Sequence, residues 1–288
     1  MSTIVRLVQG SAEWHEHRRL HRNASETPIV LGVSPWTTPY QLWQQKLGVA
    51  TPEVNAAMLH GTELEPAARA AYERLTGLVM QPLVLVDGEY SASLDGLTLA
   101  GERLVEIKCP YKGRESALWK AIEATPRTLP EHYQWQVQHQ LMVSQADIAD
   151  VFVFDGSEGV VFPVAPDESA WPRIHEAWDA FARYITEAQA PPLTDRDTRI
   201  RDDPEWLEAA ARYVKLRTAY DELSAKCDEA KAQLIALTGN AKEQGGGVLV
   251  TRLWKRGNVD YKRVPELLGV DLEPYRGTPR EETRVLIV

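Results

Sequence analysis

Between Leu83 and Lys108 the chain reads as three short apolar strands with charge set inside them, a pattern a folded sheet tolerates only where the charges find partners. The strands are Leu83–Val86, a segment near Ser91–Leu94, and Leu104–Ile107, punctuated by Asp87-Gly88, Asp95-Gly96 and Gly101-Glu102. Asp95 closes the second strand. Glu106 and Lys108 lie two apart on the third, so they point to one face. Two carboxylates converging from adjacent strands make a hard oxygen site suited to Mg²⁺ or Mn²⁺, with room for waters and a phosphate. Lys108 beside them would position or polarise a water, or stabilise a pentacovalent phosphorus. The same spacing occurs on ordinary surface hairpins with a Glu/Lys pair, so the motif needs support from elsewhere in the chain.

Two helices supply it. In Gly61-Thr62-Glu63-Leu64-Glu65-Pro66-Ala67-Ala68-Arg69, Glu65 shares a face with Ala68 and Tyr72. An acid beside an apolar stripe needs a counter-group, and a metal or Arg69 would each serve. In Tyr133-Gln134-Trp135-Gln136-Val137-Gln138-His139-Gln140-Leu141, Gln136 shares its stripe with Tyr133, Val137 and Gln140. A buried amide requires hydrogen-bond partners; a phosphate or bound water is one kind, and a purely supporting contact is the other.

The rest of the chain surrounds this centre with helices. Ser11 can cap a helix that carries Glu13, Trp14 and Arg18, Thr38-Pro39 opens a second that stops at Gly48, and a third runs from about Thr62 to Leu75 before Gly77. Pro130 starts a helix that leads into strands at Val151–Phe154 and Val160–Val164, and another helix covers about Glu168–Glu187. This order predicts an α/β (α+β) fold. The linker signal at Ala190-Pro191-Pro192 divides the chain into a domain 1–190 and an appendage 191–288. Within the appendage, Trp206, Ala209, Tyr213, Leu216, Tyr220, Leu223, Cys227, Ala230, Leu234 and Leu237 alternate three and four apart, a heptad seam that either joins two chains or folds back on its own domain, the latter being expected. Gly245-Gly246-Gly247 then predicts a hairpin around Gly257-Asn258, and Arg284–Val288 a further strand.

Composition narrows the classes. Two cysteines, Cys109 and Cys227, are too few for a thiolate zinc site, an iron–sulfur cluster or a disulfide framework. The opening residues lack a signal-peptide pattern and no apolar run reaches membrane-spanning length, which predicts a cytoplasmic protein without membrane partners. A net charge of −9 argues at first against a nucleic-acid ligand. Its location softens the objection: fifteen Asp and Glu against five Arg lie between Asp147 and Glu208, leaving the remainder at +1. Basic residues gather at Arg18, Arg19 and Arg22 and again at Arg252, Lys255, Arg256, Lys262 and Arg263, clusters that also occur as solvated faces.

Taken in order, Gly61-x-x-x-Glu65, Ser93-x-Asp95-Gly96, Glu106-x-Lys108-Cys109-Pro110 and Tyr133-x-x-Gln136-Val137-Gln138 resemble lambda exonuclease and the YqaJ-type viral recombinases, within the PD-(D/E)xK nuclease superfamily. Trp14-His15-x-x-Arg18, Ala24-Ser25-Glu26 and Leu31-Gly32-Val33-Ser34-Pro35-Trp36-x-Thr38-Pro39-Tyr40-x-Leu42-Trp43 extend the resemblance over roughly residues 11–187. Two departures stand out. The usual Gly-Ala-Ser-Asp-like stretch is Asn23-Ala24-Ser25-Glu26, and the Pro of the superfamily name is Leu94 or absent.

The resemblance implies a restriction-endonuclease-like core, a central mixed sheet flanked by helices, with a C-terminal helical and β-hairpin appendage. It further implies a metal, Mg²⁺ with Mn²⁺ as substitute, held by Asp95, Glu106 and the Ile107 carbonyl, with Glu65 orienting a water and Lys108 assisting attack. Arg18, Ser25, Ser93 and Gln136 match family positions near the scissile or 5′-terminal phosphate. The implied reaction is 5′-to-3′ resection of linear double-stranded DNA with free ends, exposing a 3′ strand for a single-strand annealing protein. The implied assembly is a ring-shaped homo-oligomer, commonly a trimer. An endonuclease of restriction or repair type would use the same core, and digestion of linear but not covalently closed circles separates the two. A non-catalytic DNA-binding recombination scaffold is the remaining alternative, disfavoured by the acidic pair and Lys108.

Overall fold

The strands expected between residues 83 and 108 form the middle of a seven-stranded mixed sheet in a computed structural model that describes residues 2–51 and 55–252. From one edge the order is β1 (Thr3–Val5), β3 (Gln81–Asp87), β4 (Tyr90–Leu97), β5 (Arg103–Lys108), β6 (Ile148–Phe154) and β7 (Gly159–Val164), and β2 (Arg22–Asn23) pairs with β4. β5 and β6 are parallel, and each is buried along most of its length, as strands covered on both faces must be.

Alternation along β5 and β6 divides the core. Leu104, Val151 and Val153 join one apolar cluster with α5 (Ala117–Glu123), α6 (Glu131–Ser144) and α7 (Trp171–Thr186), whereas Val105, Ile107 and Phe152 join another with α4 (Ala56–Thr76). Among the remaining helices, α1 (Ala12–Leu20) starts at Ser11, whose hydroxyl accepts from the Trp14 amide, and α3 (Pro39–Lys46) starts with a capping box at Thr38. α2 (Thr27–Val30) is held to α6 and α7 through Thr27, whose Oγ1 is 2.6 Å from His139 Nδ1 and accepts from Trp178 Nε1 at 2.9 Å. Burial pushes the His139 imidazole down to about 3, so this junction is neutral.

Some boundaries differ from expectation. α4 begins at Ala56, capped by Asn55, because the turns around Gly61 and Pro66 continue the helix that composition alone would start later. β4 runs past Asp95 to Leu97. Gln81 pairs with Leu97 and Leu83 with Leu94, so Asp95 and Gly96 together oppose Pro82 alone, a β-bulge opposite a residue with no amide to donate. Asp95 is therefore aimed by a bulge in mid-strand rather than by a strand end.

The described residues divide into two units, the first ending at Arg199 and the second beginning at Ile200. Residues 191–199 fold with the first: Thr38 Oγ1 donates to Asp197 at 2.5 Å, and Arg196 donates to the Ser34 carbonyl at 2.8 Å. The second unit holds α8 (Pro204–Leu237) and a hairpin of β8 (Lys242–Gly245) and β9 (Val248–Thr251). Among the described residues, α8 buries none of its own. Gly246 and Gly247, both at positive φ, are themselves the hairpin turn. The hairpin expected at Gly257-Asn258, the basic cluster from Lys255 to Arg263 and the strand at Arg284–Val288 lie outside the described residues. No described helix is long and apolar enough to cross a membrane.

The bulge leaves no room at Gly96. A Cβ there would lie 2.6 Å from Met80 Cβ and 2.9 Å from Val105 Cγ1. Gly96→Ala is expected to lower stability by about 1–3 kcal/mol through overpacking. Urea denaturation checks this, as a fall in midpoint at unchanged slope.

Candidate active site

β4 and β5 pair over only two positions, Gly96 with Val105 and Leu97 with Leu104. Beyond them the Asp95 carboxylate takes over, its Oδ2 accepting the Ile107 amide at 2.7 Å. In an extended strand the N–H and C=O of one residue face the same edge, so the Ile107 carbonyl opens on the side of Asp95. Arg69 of α4 ties the same place from below, donating through Nε to the Asp95 carbonyl at 2.7 Å and through Nη2 to Glu65 at 2.6 Å. Glu65 thus has the i+4 arginine that the sequence offered as one of its two partners.

Glu106 is buried, and three groups meet its oxygens. Gln136 Nε2 donates to Oε1 at 2.7 Å, Gln140 Nε2 to Oε2 at 2.5 Å, and Lys108 Nζ lies 2.5 Å from Oε1. Lys108 also reaches Gln136 Oε1 at 3.4 Å and sits 5.0 Å from the centre of the Tyr133 ring. The alternation of β5 and the helical spacing of α6 bring these groups together: residues 106 and 108 face α6, and residues 133, 136 and 140 are successive turns of it.

The electrostatics follow from this crowding. Burial, then the Glu106 and Glu65 charges, hold the Asp95 carboxyl well above the usual range, against the opposing pull of Lys108 and the Ile107 amide. Burial would lower Lys108, but Glu106, Tyr133 and Asp95 outweigh it and keep the ammonium's pKa above its ordinary value. Lys108 is therefore a fixed cation, suited to stabilising negative charge on a phosphate. Among the described residues no three His, Cys, Asp or Glu side chains form a ready ligand set. Asp95 and Glu106, with a main-chain carbonyl and waters, are a donor set that fits a hard cation keeping part of its water shell. Such an ion would offset the carboxylate repulsion that Lys108 alone leaves.

A cavity of about 150 Å³ opens over the pair, lined by Arg18, Ser25 and Ser93 together with Asp95, Glu106 and Gln136. Each of the sequence-predicted phosphate-contact residues reaches it. Arg18 Nη2 donates to Ser25 Oγ at 3.0 Å and to Glu26 at 3.2 Å, and Trp14 Nε1 donates to Ser93 Oγ at 3.1 Å. Behind Arg18 stands a buried Lys46, 2.6 Å from Glu26 and donating to the Arg18 and His21 carbonyls at 2.5 and 2.8 Å. Of the expected basic cluster, Arg19 pairs with Glu16 and Arg22 with Glu89 and Asp179.

Sequence reasoning singled out Gln136 but not Gln140, although the i,i+4 spacing put both on one stripe. It also passed over Trp14, Asn23, Glu26 and Lys46 as a group. Asn23 donates to Glu26 at 2.8 Å and to the Arg18 and His21 carbonyls at 2.6 and 2.9 Å. Nothing in local spacing links Lys46 to Arg18.

The order of these residues and the fold around them agree with the comparisons to known proteins. Residues 13–147 match the YqaJ-like viral recombinase domain family. The chain is 29% identical over 222 residues to the Bacillus subtilis protein YqaJ, itself described as uncharacterized, an alignment covering 73% of this chain and 64% of that one. The chain thus spans less than two thirds of that YqaJ relative. The alkaline exonuclease LHK-Exo from Laribacter hongkongensis superposes with a TM-score of 0.51 at 25% identity, covering 71% of this chain and all of that enzyme. Its complex with dAMP superposes equally well at 24% identity and adds likeness of fold alone.

Proposed function

We propose that this protein is a divalent-metal-dependent deoxyribonuclease that resects linear duplex DNA from 5′ to 3′, exposing a 3′ strand for annealing-type recombination. The observation that carries the reading is the joining of two chemistries in one cavity: an acidic pair with a fixed lysine cation, and an arginine with two hydroxyl-bearing side chains. The YqaJ-like domain and the likeness to an alkaline exonuclease support it.

Asp95, Glu106 and the Ile107 carbonyl would hold Mg²⁺, with Mn²⁺ able to replace it. When bound, the ion supplies a Lewis acid that acidifies the attacking water and neutralises charge on the phosphate. The chain's own residues do the rest. Gln136 and Gln140 hold the Glu106 carboxylate in one orientation by donating to both of its oxygens. Lys108, kept protonated, faces the phosphate and stabilises the charge that grows there in the transition state. Glu65, fixed by Arg69, orients water on the Asp95 side. Arg18, Ser25, Ser93 and Gln136 receive a phosphate, and Glu26 and Lys46 keep the Arg18 fork from swinging away. In this reading the protein works in the bacterial cytoplasm with a single-strand annealing protein, as a homo-oligomer of three subunits around the duplex. The endonuclease alternative has no observation in its favour beyond the shared core.

Asp95→Ala, Glu106→Ala and Lys108→Ala are each expected to reduce hydrolysis by more than about 100-fold with the fold preserved. End-labelled linear duplexes and covalently closed circles, incubated with Mg²⁺ and sampled over time, check activity and direction together. Near-wild-type activity in Asp95→Ala, or equal digestion of closed circles, would sink the reading.

Arg18→Ala is expected to slow digestion of 5′-phosphorylated ends far more than it weakens overall duplex binding, because a guanidinium fork contributes geometry as well as charge. Paired time courses on phosphate and hydroxyl ends measure it. Equal slowing on both would leave Arg18 with a general electrostatic role.

A further inference from the structure

Trp36 is a large aromatic side chain left in solvent, connected to the site through Tyr133. Its side chain is 66% exposed, yet the loop that carries it is pinned. The Val33 and Ser34 amides both donate to the Pro28 carbonyl at 2.9 Å. The Ser34 hydroxyl accepts the Trp36 and Thr37 amides at 3.3 Å, and Arg196 donates to the Ser34 carbonyl at 2.8 Å. The indole itself stands edge-on to His132, with centroids 4.8 Å apart at 86°, and tilted against Tyr133 at 5.9 Å. Tyr133 is the ring over which Lys108 sits, so one aromatic ring separates the exposed indole from the lysine of the site. Leaving so large an apolar surface in water on a rigid loop forgoes burial that a flexible loop would let it seek. The indole and the lysine lie 5.9 and 5.0 Å from the centre of that one ring, so a single nucleotide can reach both with its base and its phosphate, and a base offers the flat π face that an exposed indole matches.

We propose that Trp36 is a stacking surface for a nucleobase of the DNA, a substrate-positioning residue that fixes the base of a nucleotide whose phosphate lies at Lys108. This rests on the nuclease reading above. Stacking accepts any base, because each has a π face, so it suits an enzyme that must move along a strand regardless of sequence. It acts in the ground and transition states alike, and so belongs to KM rather than kcat.

The test uses the full chain and end-labelled duplexes, each with one abasic site at a different nucleotide near the digested end. On unmodified duplex, Trp36→Ala is expected to raise KM by about 5- to 100-fold with kcat little changed, and Trp36→Phe to keep most of the wild-type affinity. At one abasic position the wild type and Trp36→Ala should become equal, a result that loss of folding or of loop order would not give. Unchanged KM in Trp36→Ala, or a defect that persists at every abasic position, overturns the stacking role while leaving the nuclease reading untouched. A wild type that hydrolyses no DNA overturns the nuclease reading instead. Fluorescence anisotropy on the same duplexes then decides the stacking separately, with weaker binding by Trp36→Ala supporting it and equal binding ending it.

Discussion

Repulsion among carboxylates on a recessed sheet face is the constraint on which the rest of this domain depends. Asp95, Glu106 and Glu65 are close enough that the last two raise the proton affinity of the first, and one ammonium, Lys108, lies among them. A fold left with that balance would lose stability unless each charge were held by hydrogen bonds or met by a cation. The surrounding elements answer the first demand. Two glutamines one turn apart on α6 saturate Glu106, the Ile107 amide meets Asp95, and Arg69 takes Glu65. The second demand is what a divalent ion would meet.

The backbone makes this geometry possible. The β4–β5 ladder stops after two pairs, and a bulge opposite Pro82 turns Asp95 out of the regular alternation. The strands part where the chemistry needs room, and β6, parallel to β5 and buried, keeps Glu106, Ile107 and Lys108 from moving with them. On the other wall of the cavity, α1 presents Arg18 by a different device: a buried lysine and glutamate pair anchors its guanidinium and the carbonyls at the helix end. One wall is rigid through the sheet and the other through a buried ion pair, which is how a cavity can keep a fixed shape between a sheet and a short helix that buries none of its own residues.

Much of this was legible in the sequence, for reasons tied to period and cap chemistry. The two-residue step from Glu106 to Lys108 placed both on one face, and the caps at Ser11 and Thr38 marked helices that form where expected. The bulge was not legible as a bulge, because strand alternation assumes equal residue counts on both partners; Pro82 beside an Asp-Gly pair was the available signal. α5 was missed although Ser116 caps it, its apolar run being too short to show a helical period. The buttress behind Arg18 joins residues 28 apart, a pairing no local rule contains. The exposure of Trp36 was equally beyond reach, since an aromatic at loop spacing reads the same whether covered or bare.

Whether Asp95 and Glu106 together hold a divalent cation is tested, without reference to catalysis, by calorimetric titration of Mg²⁺ and Mn²⁺ into the full chain. Saturable binding is expected in the wild type and its loss in both Asp95→Ala and Glu106→Ala, while circular dichroism stays unchanged. Binding that survives in both variants, or a wild type that takes up neither ion, would contradict it.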